Sequence, residues 1–135
     1  MTDAFPTASM ALTHILVVSD IAASTAWYRD VLGTEVVRAY GGTSVVLKFL
    51  GNWLLLVTGG EPSADKPTVT FAPPSDPNQV ASAFTIRVPD CRAAHATLSA
   101  RGAKFLTPPH DWGAEVRAFF RDPDGHLFEI SAVGA

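Results

Sequence analysis

Only one cysteine, Cys91, occurs in the chain of 135 residues. An intrachain disulfide is thereby excluded, as is any CxxC zinc or redox site. Charge is sparse as well: 17% of residues are Asp, Glu, Lys or Arg, the net charge is −3, and no Lys/Arg cluster stands out. The broad basic footprint that nucleic acid requires is missing. No apolar run approaches the roughly 20 residues of a membrane span. The longest, Ile15 to Val18 and Trp53 to Val57, are strand-sized. Met1-Thr2-Asp3-Ala4-Phe5-Pro6 lacks the basic start of a secretory signal. Without a Gly-rich phosphate loop or a GxSxG elbow, phosphoryl transfer and elbow-type hydrolysis have no support. A soluble protein in a reducing, cytoplasmic setting is the expectation, with neither nucleic acid nor membrane as partner.

What is present is an apolar chain, 47% hydrophobic, long enough for one compact domain with a real core. Ile15 to Val18 reads as a strand stopped by Ser19-Asp20, and the Asp20 carboxylate suits an N-cap. In the next segment, a helix, Tyr28, Val31 and Leu32 share one face, and Gly33 supplies the stop. Strands are expected at Glu35 to Ala39, Ser44 to Leu50 and Trp53 to Thr58, divided by the Gly41-Gly42 and Gly51-Asn52 turn signals. A Pro- and Gly-rich connector then spans Gly59 to Gln79, with a short strand at Thr68 to Phe71.

The second half repeats this grammar: a strand at Phe84 to Val88, an N-cap at Asp90, a helix over Ala93 to Arg101 and a stop at Gly102. Three further strands are expected at Lys104 to Thr107, Val116 to Phe120 and His126 to Ser131. A shift of 70 residues pairs Val18 with Val88, Asp20 with Asp90 and Ala23 with Ala93. The fold class is therefore α+β, two tandem β-α-β-β-β modules whose curved mixed sheet surrounds a cleft. Each module is too small to bury its own sheet face well, so the two must share a surface, and a cleft between them would suit a small ligand.

Two stretches carry a resemblance: Val18-Ser19-Asp20-Ile21 with Ser24 and Trp27-Tyr28-Arg29-Asp30-Val31-Leu32-Gly33, and Trp112-Gly113 with Phe120-Arg121-Asp122-Pro123-Asp124-Gly125-His126-Leu127-Phe128-Glu129-Ile130. They are similar to the strand-to-helix opening and the closing hairpin of the vicinal oxygen chelate superfamily. That superfamily contains glyoxalase I, extradiol dioxygenases, fosfomycin-resistance enzymes and bleomycin-resistance proteins. The resemblance implies one glyoxalase-like domain over residues 1–135, with modules at 11–72 and 80–133, a tail at 1–10, and a homodimer.

Enzymes of the superfamily hold a divalent metal with side chains from four strands. By resemblance Glu129 matches the last ligand position, and Leu56 stands where the first module would carry its Glu. The two histidine positions fall on Ala83 and Thr13, with His14 one residue out of register. A one-residue slip turns a strand side chain to the other face, so His14 would reach a metal at Glu129 only through a bulge. Two apolar replacements among four ligands leave too few donors for a tightly held ion, though a divalent metal stays possible through His14 and Glu129.

The residues themselves point the same way. Phe128 and Ile130 alternate with Glu129, so packing the two apolar side chains under the helix turns the carboxylate into the cleft. Glu129 is thus the candidate catalytic base or remnant metal ligand, unless Arg87 merely pairs with it. Leu54, Leu56, Ala83, Thr85, Arg87, Trp112 and Phe119 are expected to line the cleft as substrate-binding residues, with Phe120 the alternative to Phe119. By resemblance His110 and Trp112 fall on a loop beside it, His95 and His126 are read as solvated, and Cys91 as packing. Two classes of function stay open. One is a binding protein taking a small, partly apolar ligand with no tight metal; the other is a metal-dependent lyase, isomerase or dioxygenase using Glu129 and His14.

Overall fold

Why the chain turns where it does is visible at the two aspartates. In the computed structural model, which describes residues 4–134, Asp20 and Asp90 each accept a hydrogen bond from the backbone N–H three residues on, at 3.0 Å. Each cap satisfies one donor that a helix start leaves orphaned, worth about 1 kcal/mol. The caps divide strand from helix in both halves. Strand β1 (Thr13–Val18) leads into α1 (Ile21–Trp27), then β2 (Glu35–Tyr40), β3 (Ser44–Phe49) and β4 (Asn52–Thr58). Strand β5 (Phe84–Arg87) leads into α2 (Cys91–Ala100), then β6 (His110–Asp111), β7 (Glu115–Arg121) and β8 (Leu127–Val133). Of the 1–10 tail, residues 1–3 lie outside the described residues.

The strand orders are β1-β4-β3-β2 and β5-β8-β7-β6, the same order twice. In each sheet the first strand runs parallel to the last, β1 with β4 and β5 with β8, and the remaining neighbours are antiparallel. The α+β repeat of two β-α-β-β-β modules therefore stands, as two four-stranded mixed sheets that are not closed into one.

Three local expectations are corrected. Lys104 to Thr107 forms no strand; only Phe105 bridges, to Phe120, and the pairing passes to His110 and Asp111, beyond Pro108-Pro109. Proline removes the N–H a ladder needs, which pushes the short strand downstream. Thr68 to Phe71 contributes a single bridge, from Phe71 to Gly60. The first helix does not run regularly to Gly33 but widens into a π-helical turn over Tyr28–Leu32, ending where Gly33 takes φ 79°. The wider turn still buries Tyr28, Val31 and Leu32 together.

The two helix-side sheet faces and both helices contribute to one apolar cluster that includes Leu16, Leu47, Leu56, Phe120, Phe128 and Ile130. Trp27 and Tyr28, from the first module, pack on Phe120 and Phe128 of the second at ring separations of 6.1 to 6.2 Å. The turn between β7 and β8 fastens this contact. The Tyr28 hydroxyl donates to Asp122 at 2.5 Å, while the other Asp122 oxygen accepts from the N–H groups of Asp124 and His126. Asp124 accepts from the Ser19 N–H at 3.1 Å, and the His126 ring meets the Val17 carbonyl at 2.8 Å. His126 is thus half-buried rather than solvated, and His95 rests against the Phe105 ring at 4.2 Å.

Burial pushes the Asp122 carboxyl above the ordinary range, against the opposing pull of the Tyr28 hydrogen bond, His126 and the two backbone N–H groups. A raised carboxyl holds its proton more tightly folded than unfolded. Its contribution to stability is complete below the ordinary value of about 4 and is lost as pH rises through the folded-state value. In Asp122→Asn the amide oxygen can take both N–H bonds and the amide N–H can reach Tyr28, without the titration. Urea denaturation from pH 4 upward should show the wild type losing stability relative to Asp122→Asn until the difference levels off. A difference independent of pH would contradict this reading of Asp122.

Candidate functional site

Strand parity separates a helix-side face from an open face on each sheet. On β4, Leu54 and Leu56 are buried under the helices while Trp53, Leu55 and Val57 are half-buried on the other side. On β8, Phe128 and Ile130 are buried and Glu129 lies between them on the open side. The ladder aligns the modules: Leu55 stands opposite Ile15 and Val46, just as Glu129 stands opposite Thr85 and Phe119. Leu55, not Leu56, is therefore the first-module counterpart of Glu129. Leu56 is fully buried and lines no open face. In a run of Leu54-Leu55-Leu56-Val57 the residue types carry no alternation from which parity could be read.

Residues of the Glu129 parity on the second sheet form a connected polar group, in which Ser131 is buried. Thr85 on β5 donates its hydroxyl to Glu129 at 2.5 Å. Arg117 on β7 lies 3.9 Å from the other Glu129 oxygen and 3.2 Å from Glu115. The Ser131 hydroxyl donates to Glu115 at 2.5 Å and accepts from Arg87 at 3.3 Å. That hydrogen bond, aided by Arg117 and Arg87, holds the Glu115 carboxyl below its ordinary range. Aromatic rings border the group: the Arg117 guanidinium lies 5.2 Å from the Trp112 ring centroid and 5.8 Å from that of Phe119. Trp112 in turn lies 4.3 Å from the His110 ring.

The structure brings Thr85, Arg87, Phe119, Trp112 and Glu129 to one side of the second sheet, and parity selects Phe119 over Phe120, which is buried. Glu129 is paired not with Arg87 but with Arg117; both arginines stand opposite Ser131, and Arg87 donates to the Ser131 hydroxyl instead. The alternation Glu115, Arg117, Phe119 was the available signal for Arg117 and Glu115, which sequence reasoning missed. His110 sits on β6, not on a loop. Ala83 precedes β5 and is exposed. Leu54 and His14 border a separate pocket at the gap between β1 and β5, which Thr85 also lines.

His14 shares the parity of the buried Leu16 and Val18, and β1 pairs with β4 without a bulge. It faces the Phe84 ring at 4.5 Å, on the side of the sheet away from Glu129. The superfamily metal set does not fit these residues. Positions 13, 55 and 83 offer a hydroxyl, an alkyl chain and a methyl, and the charge nearest Glu129 is a guanidinium. Among the described residues no three His, Cys, Asp or Glu side chains cluster as a metal would need. Cys91 is buried with its thiol toward the Ile130 carbonyl, and burial pushes that thiol up, the reverse of a reactive thiolate.

A sheet pair of this topology defines a protein of the tandem β-α-β-β-β type. The chain belongs to the Glyoxalase/Bleomycin resistance protein/Dioxygenase superfamily, whose family model matches residues 11–130. Similar solved structures include a lactoylglutathione lyase from Agrobacterium tumefaciens, 22% identical over 94% of this chain and 95% of that one, with a TM-score of 0.70. An integron cassette protein from V. Pseudocholerae is 25% identical over 96% and 98%, with a TM-score of 0.70. The fosfomycin resistance protein FosX from Listeria monocytogenes, complexed with Mn(II) and 1S,2S-dihydroxypropylphosphonic acid, is 19% identical over 92% and 90%, with a TM-score of 0.64. No curated protein matches the chain. Among the described residues no helix is long and apolar enough to cross a membrane.

The Arg117–Glu129 pair is long and Arg117 is 36% exposed, so its worth is small. A double-mutant cycle with Arg117→Met and Glu129→Gln should give a coupling below about 1 kcal/mol in chemical denaturation. Cys91 should resist an aromatic disulfide reagent in the native protein and react with one equivalent once unfolded. Rapid native reaction would mean that the helix start opens.

Proposed function

We propose that the protein binds a small, partly apolar ligand over the open face of the second sheet, without a tightly held metal. The observation that carries this reading is Glu129, held by the Thr85 hydroxyl and facing the Arg117 guanidinium, with an alkyl chain at position 55 and a methyl at position 83 where its superfamily would have further metal ligands. Arg117 and Arg87 offer donors, Glu115 and Glu129 offer acceptors, and Trp112 and Phe119 supply flat apolar surface beside them. Such a set recognises a ring or short chain carrying one polar end, the usual composition of a small-ligand site. Lactoylglutathione lyase and FosX represent the enzymes of this fold, but the residues of this chain favour binding over metal-assisted chemistry.

A homodimer is part of the proposal. The open face of the first sheet is apolar, lined by Ile15, Val46, Trp53 and Leu55, and Ile15 is 45% exposed. A second copy laid over that face would remove the apolar surface from water. A cytoplasmic setting suits the single free thiol.

Protein purified without a His tag should hold well under one equivalent of zinc, nickel, manganese or iron. Thermal-shift screening should give ligands, flat rings with a charged or hydrogen-bonding end, whose stabilisation is unchanged by added metal and falls several-fold in Arg117→Ala. Stoichiometric metal lost in Glu129→Gln would overturn the proposal in favour of the enzyme reading. Sedimentation at micromolar protein should give a dimer, and a monomer would remove that part.

A further inference from the structure

The gap between the edge strands β1 and β5 holds a pocket of about 270 Å³ that the open-face site does not use. Its walls are His14 and Phe84, whose rings meet edge to face, with Leu54 below and Trp53 beside them. Leu12 and Leu50 flank it, and both are unusually exposed, at 90% and 68%. Thr85 and Trp53 are its border with the two open faces.

Leu50 is the telling residue. It sits in the two-residue turn between β3 and β4 with φ 51°, followed by Gly51 at φ 76°. Turns of this kind need positive φ at both positions and take Asn, Asp or Gly at the first. A branched aliphatic side chain there is strained, and this one also gains little burial. Leu50 is the one non-glycine residue with positive φ among those described. Strain combined with an exposed apolar side chain at a pocket mouth is the pattern of a position held for contact with something else.

We propose that this pocket binds a neutral, flat aromatic group carrying one hydrogen-bonding substituent, with His14 as its polar partner and Leu50 as its cover. The volume suits one or two fused rings, and it is too small a concavity for a protein segment to gain a standard interface. Phe84 is itself stacked on Phe128 at 4.7 Å, so the aromatic wall is fixed before a ligand arrives. The exposed His14 ring is still partly desolvated, and this together with His126 lowers its pKa, so it offers one acceptor and one donor near neutral pH. The inference does not rest on the open-face reading, since His14 and Phe84 lie on the side of the sheet away from Glu129.

The test uses 2-naphthol as probe, with calorimetry for affinity and methyl NMR for location. One equivalent should bind saturably, shifting the methyl signals of Leu12, Leu50 and Leu54 while leaving that of Leu55 in place. His14→Phe keeps the ring and should weaken binding about tenfold, the loss of one hydrogen bond. Leu50→Asn should raise the unfolding temperature by a few degrees and yet weaken binding about fivefold through lost apolar contact. Movement in these opposite senses is what a purely structural leucine would not produce. Absence of saturable binding, shifts centred on Leu55, or affinity unchanged in both variants would each overturn the proposal.

Discussion

The contact between the two modules is fastened at one turn, Asp122-Pro123-Asp124-Gly125. Asp122 is buried, and both of its oxygens are engaged: one by the Tyr28 hydroxyl and the other by two backbone N–H groups of its own turn. A buried carboxylate is costly unless its lone pairs are satisfied, and here the satisfaction comes from both modules. The same four residues, Asp122-Pro123-Asp124-Gly125, reverse the chain between β7 and β8 and so set which residues of β8 face out. Asp124 and His126 then reach the backbone at the end of β1. Turn, module contact and orientation of Glu129 are one construction.

With the frame held in this way, the two sheets have been free to diverge on their open faces. Equivalent positions carry Ile15, Val46 and Leu55 in the first sheet but Thr85, Phe119 and Glu129 in the second. The helix-side faces have not diverged in kind: Leu54 and Leu56 answer to Phe128 and Ile130, all buried. Packing constrains the inner face of each strand to apolar residues of suitable volume, whereas the outer face is limited only by what it must meet. That difference in constraint is why one repeat can offer an apolar surface and the other a polar one.

The same contrast explains what could be read from the sequence. Caps and stops were legible because Asp20, Asp90, Gly33 and Gly102 each do a local job that few other residues do. Glu129 was legible because its neighbours, Phe128 and Ile130, differ from it in kind. Leu56 was misplaced by one residue because its neighbours do not, and parity then rests on pairing partners that lie far away in the sequence. Arg117 escaped notice for a related reason: its importance lies in standing diagonal to Glu129, opposite Ser131, and beside the Trp112 ring, contacts set by the β7–β8 register. The displaced β6 was hidden by Pro108-Pro109, which signals a break without saying on which side pairing resumes.

The chemistry open to this surface depends on which cation its carboxylate faces. A divalent ion withdraws electron density from whatever oxygen it holds and leaves open positions for a substrate. A guanidinium such as Arg117 has no coordination sites; it carries N–H donors in a fixed plane. Lying near aromatic faces and between two carboxylates, it is restrained in direction and partly neutralised. A ligand bound there would meet the Arg117 donors beside the flat apolar faces of Trp112 and Phe119. On the binding reading proposed above, recognition at this surface would rest on shape and donor pattern.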